Sequence, residues 1–396
     1  MTPEQQLDLA LRYADRVVPE AELAEKLQLG RPLRVKLGLD PTAPAVTLGW
    51  AVVLRKLRQF QEMGHTAVLI VGDFTAQVGD PSDREETRKR LTAEQVNNYA
   101  EDVLRQFGHV LLDKNLEIRR NSEWLAAMDM GELLELTSAA TVAQMMERQD
   151  FAKRYAEGTP ISVMEFLYPL FQGYDSVAVE ADIELGGSDQ LWNLMMGRVV
   201  QERYGMEPQV ALTMPILVGI DGVRRMGQSL GNYIGVEEEP SEMFGKTMSL
   251  PDEAMEHWFQ LAVDFDPDRV NHVMGDVASG SMHPNLAKRL LARSVVALYH
   301  GDAAAAAAET QFDQVFKHGG VPKEIDSFPV PAGETVNLPA LIRDAFGGSG
   351  SDARRLLQQG AVRVNGDQIT DQEVDRERLV GQVLQVGKRK FIRLVN

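Results

Sequence analysis

The chain has no cysteine, which excludes disulfides and thiolate metal sites. No apolar run approaches the ~20 residues that a helix needs to cross a bilayer. Its seven histidines are scattered without a ligand-like pair, so no metal site is expected. Neither a Walker phosphate loop nor Gly-x-Gly-x-x-Gly occurs, and the usual glycine cradles for phosphate are therefore missing. A basic excess is missing too. Only 41 Lys and Arg stand against 58 Asp and Glu, for a net charge of −17, which argues against non-specific coating of nucleic acid. The opening Met1-Thr-Pro-Glu-Gln-Gln6 lacks the features of a signal peptide, and the cytoplasm is the expected compartment.

What is present fits a soluble globular protein of 396 residues, 44% hydrophobic and 25% charged. Two or three domains are expected at that length. Charge is unevenly spread. Residues 331–396 carry 10 basic and 8 acidic side chains, net +2, so the preceding 330 carry −19. A basic tail on an acidic body puts any nucleic-acid contact in the tail.

The chain is organised around Arg34 to Gln59. Val35, Leu37 and Leu39 alternate as in a strand, Pro41 and Pro44 break it into a loop, and Thr47 offers an N-cap to a helix carrying Leu48, Val52, Leu54 and Leu57. Thr66–Asp73 reads as a strand buried on both faces. Thr92-Ala-Glu-Gln95 has the form of a capping box and predicts a helix to about Gln106. Leu116–Arg120 reads as a strand, and residues 1–32 and 131–157 read as helical. Val177–Leu185 alternates as a strand before the turn Gly186-Gly187. This alternation predicts an α/β domain with a mostly parallel, doubly wound sheet to about residue 235. Helices alone follow over 241–317. Pro322, Pro329 and Pro331 suggest a linker over 321–336, and 337–396 reads as a small α+β unit with an Asn365-Gly366 hairpin.

Asp40, Asp73, Asp80, Asp189 and Gln190 fall just beyond expected strand ends, the ligand edge of such a sheet. Capping and turn chemistry would use Asp there equally well. Tyr168, Gln172 and Asp175 share one helical face amid apolar neighbours. They either face solvent or line a polar site, since burial without partners is costly. The loop Asp221–Asn232 holds Arg224 and Arg225, which suit a phosphate or an ordinary solvated surface.

Taken in order, Gly38-Leu-Asp-Pro-Thr42, Gly79-Asp-Pro-Ser82, Tyr168-x-x-x-Gln172-x-x-Asp175, Gly186-Gly-Ser-Asp-Gln190 and Leu230-Gly-Asn-Tyr-Ile234 resemble the tyrosyl-tRNA synthetases, class I aminoacyl-tRNA synthetases. The resemblance implies a Rossmann-like catalytic domain (1–240) with a dimerisation insertion around 115–165, a helical anticodon-binding-like domain (241–320), and a small RNA-binding domain (337–396). It implies ATP with Mg2+ as co-substrate, tyrosine and tRNA as partners, a homodimer, and no prosthetic group. Lys36, Asp40, Thr75, Asp80, Tyr168, Gln172, Asp175 and Gln190 would hold tyrosine, with Asp175 at the phenol and Asp80 and Tyr168 at the ammonium. Gly49, Asp189 and Met226 would meet ATP. Arg354, Arg355, Lys388, Arg389 and Lys390 would meet RNA.

The positions expected to carry catalysis are Thr42, Thr47, Trp50, Arg225 and Gln228; Thr42 matches the family, and at the other four the chain departs from it. Where the family has His-x-Gly-His, this chain has Thr47-Leu-Gly-Trp50. Where it has Lys-Met-Ser-Lys-Ser, this chain has Arg225-Met-Gly-Gln-Ser229. After Pro81-Ser82 stands Asp83-Arg-Glu-Glu86 in place of glycine and basic residues. Every departure falls on the ATP side. Besides a working tyrosine–tRNA ligase, the sequence therefore admits a pseudo-synthetase that binds tyrosine or RNA without activating the amino acid, and a ligase with another acceptor.

Overall fold

A computed structural model describes residues 1–80, 92–263, 265–316, 326–347, 349–387 and 390–396. The chain divides into two compact units, Met1–Gly301 and Asp302–Asn396.

The first unit is built on a six-stranded sheet, β1 (Arg16–Val18), β2 (Arg34–Leu39), β3 (Thr66–Val71), β4 (Leu116–Arg120), β5 (Ile183–Gly187) and β6 (Val210–Met214), in the order β1-β6-β5-β2-β3-β4. Neighbours from β6 to β4 run parallel. β1 closes the edge antiparallel to β6. That strand interrupts the expected helical lead-in. Three residues are too few for a periodicity to declare itself, and Val17 and Val18 are ordered by pairing with Leu212 and Ala211.

β3 is buried on both faces, as a sheet covered by helices requires. Helix α1 (Leu48–Glu62) follows β2 and buries Leu48, Leu54, Leu57 and Phe60 almost completely, each contributing roughly 1.5–3 kcal/mol. Thr47 caps it by accepting from Trp50 N. Helix α2 (Ala93–Phe107) opens with both bonds of the Thr92/Gln95 capping box. The expected helical stretch 131–157 holds three short helices, Met130–Thr137, Val142–Met145 and Gln149–Ala156.

Helix α3 (Val163–Ala178) opens on a Ser162/Glu165 capping box and buries Tyr168, Leu170, Phe171 and Asp175. It runs through residues 177–178, where alternation predicted strand, and β5 begins only at Ile183. A tertiary contact explains the override: α3 packs extensively on α4 (Leu191–Arg203), and the alternation of Val177–Leu185 does not outweigh that burial. Among the described residues, no helix is long and apolar enough to cross a membrane.

The second unit carries β7 (Ser327–Pro329), β8 (Thr335–Asn337), β9 (Val362–Val364), β10 (Asp367–Gln368), β11 (Glu373–Asp375), β12 (Val383–Val386) and β13 (Lys390–Val395). Part of the expected linker is thus sheet. β7 lies at the edge of β10-β9-β12-β13-β7, where Pro329 forfeits no interior ladder bond. The Asn365-Gly366 turn has φ of 49° and 92°, the left-handed pair that a tight hairpin demands, and it joins β9 to β10.

Candidate functional site

The strand order reverses between β2 and β5. From β2 the chain winds through β3 to β4, and from β5 it winds the other way to β6. A crevice opens beyond the carboxyl ends of strands at such a switch. Asp40 follows β2, Thr75 follows β3, Asn121 follows β4, and Ser188–Gln190 follow β5.

One hydrogen-bond network joins these ends to α3. Tyr168 donates its hydroxyl to Asp40 Oδ2 at 2.9 Å, and Thr75 donates to Asp40 Oδ1 at 2.8 Å. Asn121 Nδ2 donates to Thr75 Oγ1 at 2.9 Å and to Asp175 Oδ2 at 3.3 Å. Trp124 Nε1 donates to Asp175 Oδ1 at 2.8 Å. Nearby, Gln190 donates to Asp80 Oδ2 at 3.0 Å, and its own oxygen accepts from Asn193, which in turn accepts from Arg148. The row on α3 therefore lines a polar site rather than solvent.

Burial pushes the Asp40 carboxyl up to about 7, helped by the charges of Asp80 and Asp175 and opposed by its bonds to Thr75 and Tyr168. Burial likewise pushes Asp175 up to about 7, against the nearby charge of Lys36 and the donors Trp124 and Asn121. The Tyr168 hydroxyl is driven well above its ordinary value, mainly by burial. Carboxylates crowded in a desolvated cleft favour a cation among them. An ammonium satisfies that electrostatic demand.

Some expected residues take other work. Lys36 is completely buried, its ammonium spent on the Gln172 carbonyl, Ser176 and Glu184. Its charge acts on Asp175. Asp73 caps the short helix Ser122–Leu125 by accepting from Ser122 N and Oγ. Thr42 is half-buried in the loop after β2, and Asp189 is half-buried in the 3-10 turn Ser188–Gln190. Asn121, Trp124, Asn193 and Arg148 were not singled out in the sequence. Asn121 follows a strand as Asp40 does, and that placement was the available signal. Trp124 gave none.

Gly72 sits so close to the network that a Cβ there would lie 2.1 Å from Asp40 Oδ1 and 2.4 Å from Thr75 Oγ1. Gly72→Ala is expected to part Asp40 from Thr75 and to weaken amino-acid binding at least ~10-fold, the scale of one charged hydrogen bond. Calorimetric titration with tyrosine checks this, and unchanged affinity would refute it.

The second half of the site brings α1 against the Asp221–Asn232 loop. Leu48 N donates to Ile234 O at 2.9 Å, and Gly49 N lies 3.3 Å from Met226 Sδ. Gln228 Nε2 donates to Ala45 O at 2.7 Å. Asn232 ties the loop by accepting from Gly227 N and donating to Asp221 and the Arg225 carbonyl. Asp221 is held well below the usual carboxylate range, first by Val223 N. Thr47 is buried as the cap of α1, while Trp50 and Arg225 are exposed. Asp83–Glu86 lie outside the described residues, as do Lys388 and Arg389. Arg354 and Arg355 are on the helix Gly350–Gln358, with Arg355 paired to Asp352. Lys390 lies over the Phe346 ring. Among the described residues, no group of three metal-ligating side chains occurs. Mg2+, which usually keeps several waters and needs only one or two carboxylates beside substrate phosphates, would arrive with the nucleotide.

A family model described as tRNA synthetases class I (W and Y) matches residues 28–317. A tyrosine–tRNA ligase of Moorella thermoacetica is 49% identical over 98% of this chain and 95% of its own length. One of Oleidesulfovibrio alaskensis is 46% identical over the whole of both. Among solved structures, a tyrosyl-tRNA synthetase of Archaeoglobus fulgidus complexed with L-tyrosine superposes with a TM-score of 0.63 at 24% identity, covering 77% of this chain and 99% of that one. A C-terminally truncated mitochondrial tyrosyl-tRNA synthetase of Aspergillus nidulans gives 0.66 at 19% identity, over 80% and 94%. These two likenesses bear on the fold.

Proposed function

The chain belongs to the tyrosyl-tRNA synthetases of the bacterial type, and from that premise we propose that it activates tyrosine with ATP and transfers it to tRNA(Tyr). Full-length kinship with tyrosine–tRNA ligases supports this reading over a pseudo-synthetase or another acceptor. The observation that carries it to the site is the hydrogen-bond network that links the Asp40 and Asp175 carboxylates through Tyr168, Thr75 and Asn121 at the strand ends. In this proposal Asp175 and its donors meet the phenol, while Asp40, Asp80, Tyr168 and Gln172 meet the ammonium. Gly49, Asp189 and Met226 face the nucleotide. Charging of a tRNA(Tyr) transcript with labelled tyrosine, at enzyme concentrations that reveal a single turnover, tests it. No tyrosyl ester under those conditions would overturn the ligase reading.

The dimer belongs to the same proposal. Met130, Leu134, Val142, Tyr155 and Val163 are all large, apolar and exposed, and they fall in the stretch 115–165. So many such residues in one segment favour a partner surface. Light scattering at micromolar concentration is expected to give twice the chain mass of 44.0 kDa, and a monomer mass would contradict it.

RNA binding by the C-terminal stretch is supported by the net +2 of residues 331–396 and by Arg354, Arg355 and Lys390. Affinity for tRNA(Tyr) is expected to fall linearly on a log–log plot against salt, as phosphate contacts exchange for counterions. Removing residues 337–396 should flatten that slope, and an unchanged slope would refute the assignment.

A further inference from the structure

Four donors converge on a carboxylate that lies outside the proposed tyrosine ligands. Glu184, on β5, is completely buried. Its Oε1 accepts from Lys36 Nζ at 3.0 Å and from Gln172 Nε2 at 2.9 Å. Its Oε2 accepts from Ser176 Oγ at 3.3 Å and from Gln209 Nε2. A carboxylate has about four acceptor positions, so Glu184 is saturated. Lys36 is saturated as well, giving its remaining protons to the main-chain carbonyl of Gln172 at 2.8 Å and Ser176 Oγ at 2.7 Å.

A buried ion pair is a poor way to gain stability, because apolar residues of equal volume commonly do as well. The pair makes sense through the amide of Gln172. Glu184 accepts from all four of its donors, so the Gln172 NH2 group must face it and cannot flip. Its oxygen is then left as an acceptor on the helix face shared with Tyr168 and Asp175. Tyrosine carries two kinds of donor, its phenol and its ammonium. Asp175 suits the first, and the Gln172 oxygen is available to the second.

We infer that Glu184, paired with Lys36, is a positioning residue that fixes the Gln172 amide with its oxygen toward the ammonium of the substrate. The inference rests on the tyrosine pocket proposed above. A glutamine at 184 presents either amide atom to Gln172, so the orientation is no longer imposed.

The test compares calorimetric binding of tyrosine and of 3-(4-hydroxyphenyl)propionate, the same molecule without the ammonium, to the full chain. Glu184→Gln is expected to weaken tyrosine at least ~10-fold, the scale of a charge-assisted hydrogen bond, and to leave the deaminated analogue unchanged. Glu184→Gln alone strands the Lys36 charge, so the double variant Lys36→Met/Glu184→Gln is measured beside it. With no unpaired charge buried, it should show the same selective loss. Equal losses for both ligands, or no loss for either, would overturn the positioning role. An unmodified chain that binds neither ligand would instead remove the tyrosine pocket itself.

Discussion

Thr47→His, Trp50→His, Arg225→Lys, Gly227→Ser and Gln228→Lys, made together, are expected to raise tyrosine-dependent ATP–pyrophosphate exchange by several orders of magnitude. Adenylate formation puts charge on a pentacoordinate α-phosphate and on the departing pyrophosphate, and preorganised donors and cations stabilise both. In this chain those positions are otherwise engaged. The Thr47 hydroxyl is buried as a helix cap. Trp50 brings one N–H and much more bulk than an imidazole. The Gln228 amide is uncharged and donates to Ala45 O. Each lost donor costs ~10²–10³ in rate, and losses within one unit do not simply add. Single reversions should therefore do little. The backbone accommodates the change, since a Cβ on Gly227 would meet nothing nearer than Leu230 at 3.9 Å. Replacing the Thr47 cap should cost about 1 kcal/mol of stability, which a melting curve of the single variant measures. Exchange by the unmodified chain at ~1 s⁻¹ or more, as ordinary enzymes show, would overturn the prediction.

The second large effect is expected at Asp175. The unmodified chain should bind tyrosine and reject phenylalanine, whose bare ring would leave Asp175 buried without the phenol. A site built to bond a hydroxyl rejects the analogue that lacks it. This enzyme family is itself the standard example of that rule, so the size of the effect, about 10⁴–10⁵, belongs to the family and not to the present geometry. Asp175→Asn should bring the two affinities within about tenfold, because a neutral amide gains less from the phenol than a carboxylate does. Equal binding of both amino acids by the unmodified chain would contradict the assignment.

The same substitution has a pH signature. Asp175 titrates near 7 in the folded chain but near ~3.9 when unfolded. The unfolded state loses its proton first, so Asp175 destabilises the empty pocket increasingly as pH rises from about 4 to about 7. Asp175→Asn should therefore melt higher than the unmodified chain at about pH 8, and the gain should shrink as pH falls toward 4. A gain that is constant across that window would show that titration of Asp175 is not its cause.

The sequence by itself determined the elements whose information is local. Thr47 and Thr92 cap helices because a short hydroxyl side chain reaches its own helix N–H groups. Thr66–Val71 is a buried strand because Ala67 to Val71 form an unbroken apolar run. Asn365-Gly366 turns because those residues accept positive φ. Motif order likewise identified the family, since spacing is a property of the chain alone. What the tertiary structure decided was which of several physically equal choices each polar residue takes. Asp40 and Asp73 both follow strands, yet one faces the cleft and the other caps a helix, and only the position of Ser122 separates them. Tyr168, Gln172 and Asp175 share a face that sequence could have turned to solvent. The partners that bury them, Asp40, Asn121, Trp124 and Glu184, lie up to 128 residues away. Lys36, placed among the tyrosine ligands by resemblance, is the buried partner of Glu184. Residues 177–178 alternate like a strand, but the packing of α3 on α4 made them helix. Local propensities differ by fractions of a kcal/mol, and contacts between distant segments outweigh them.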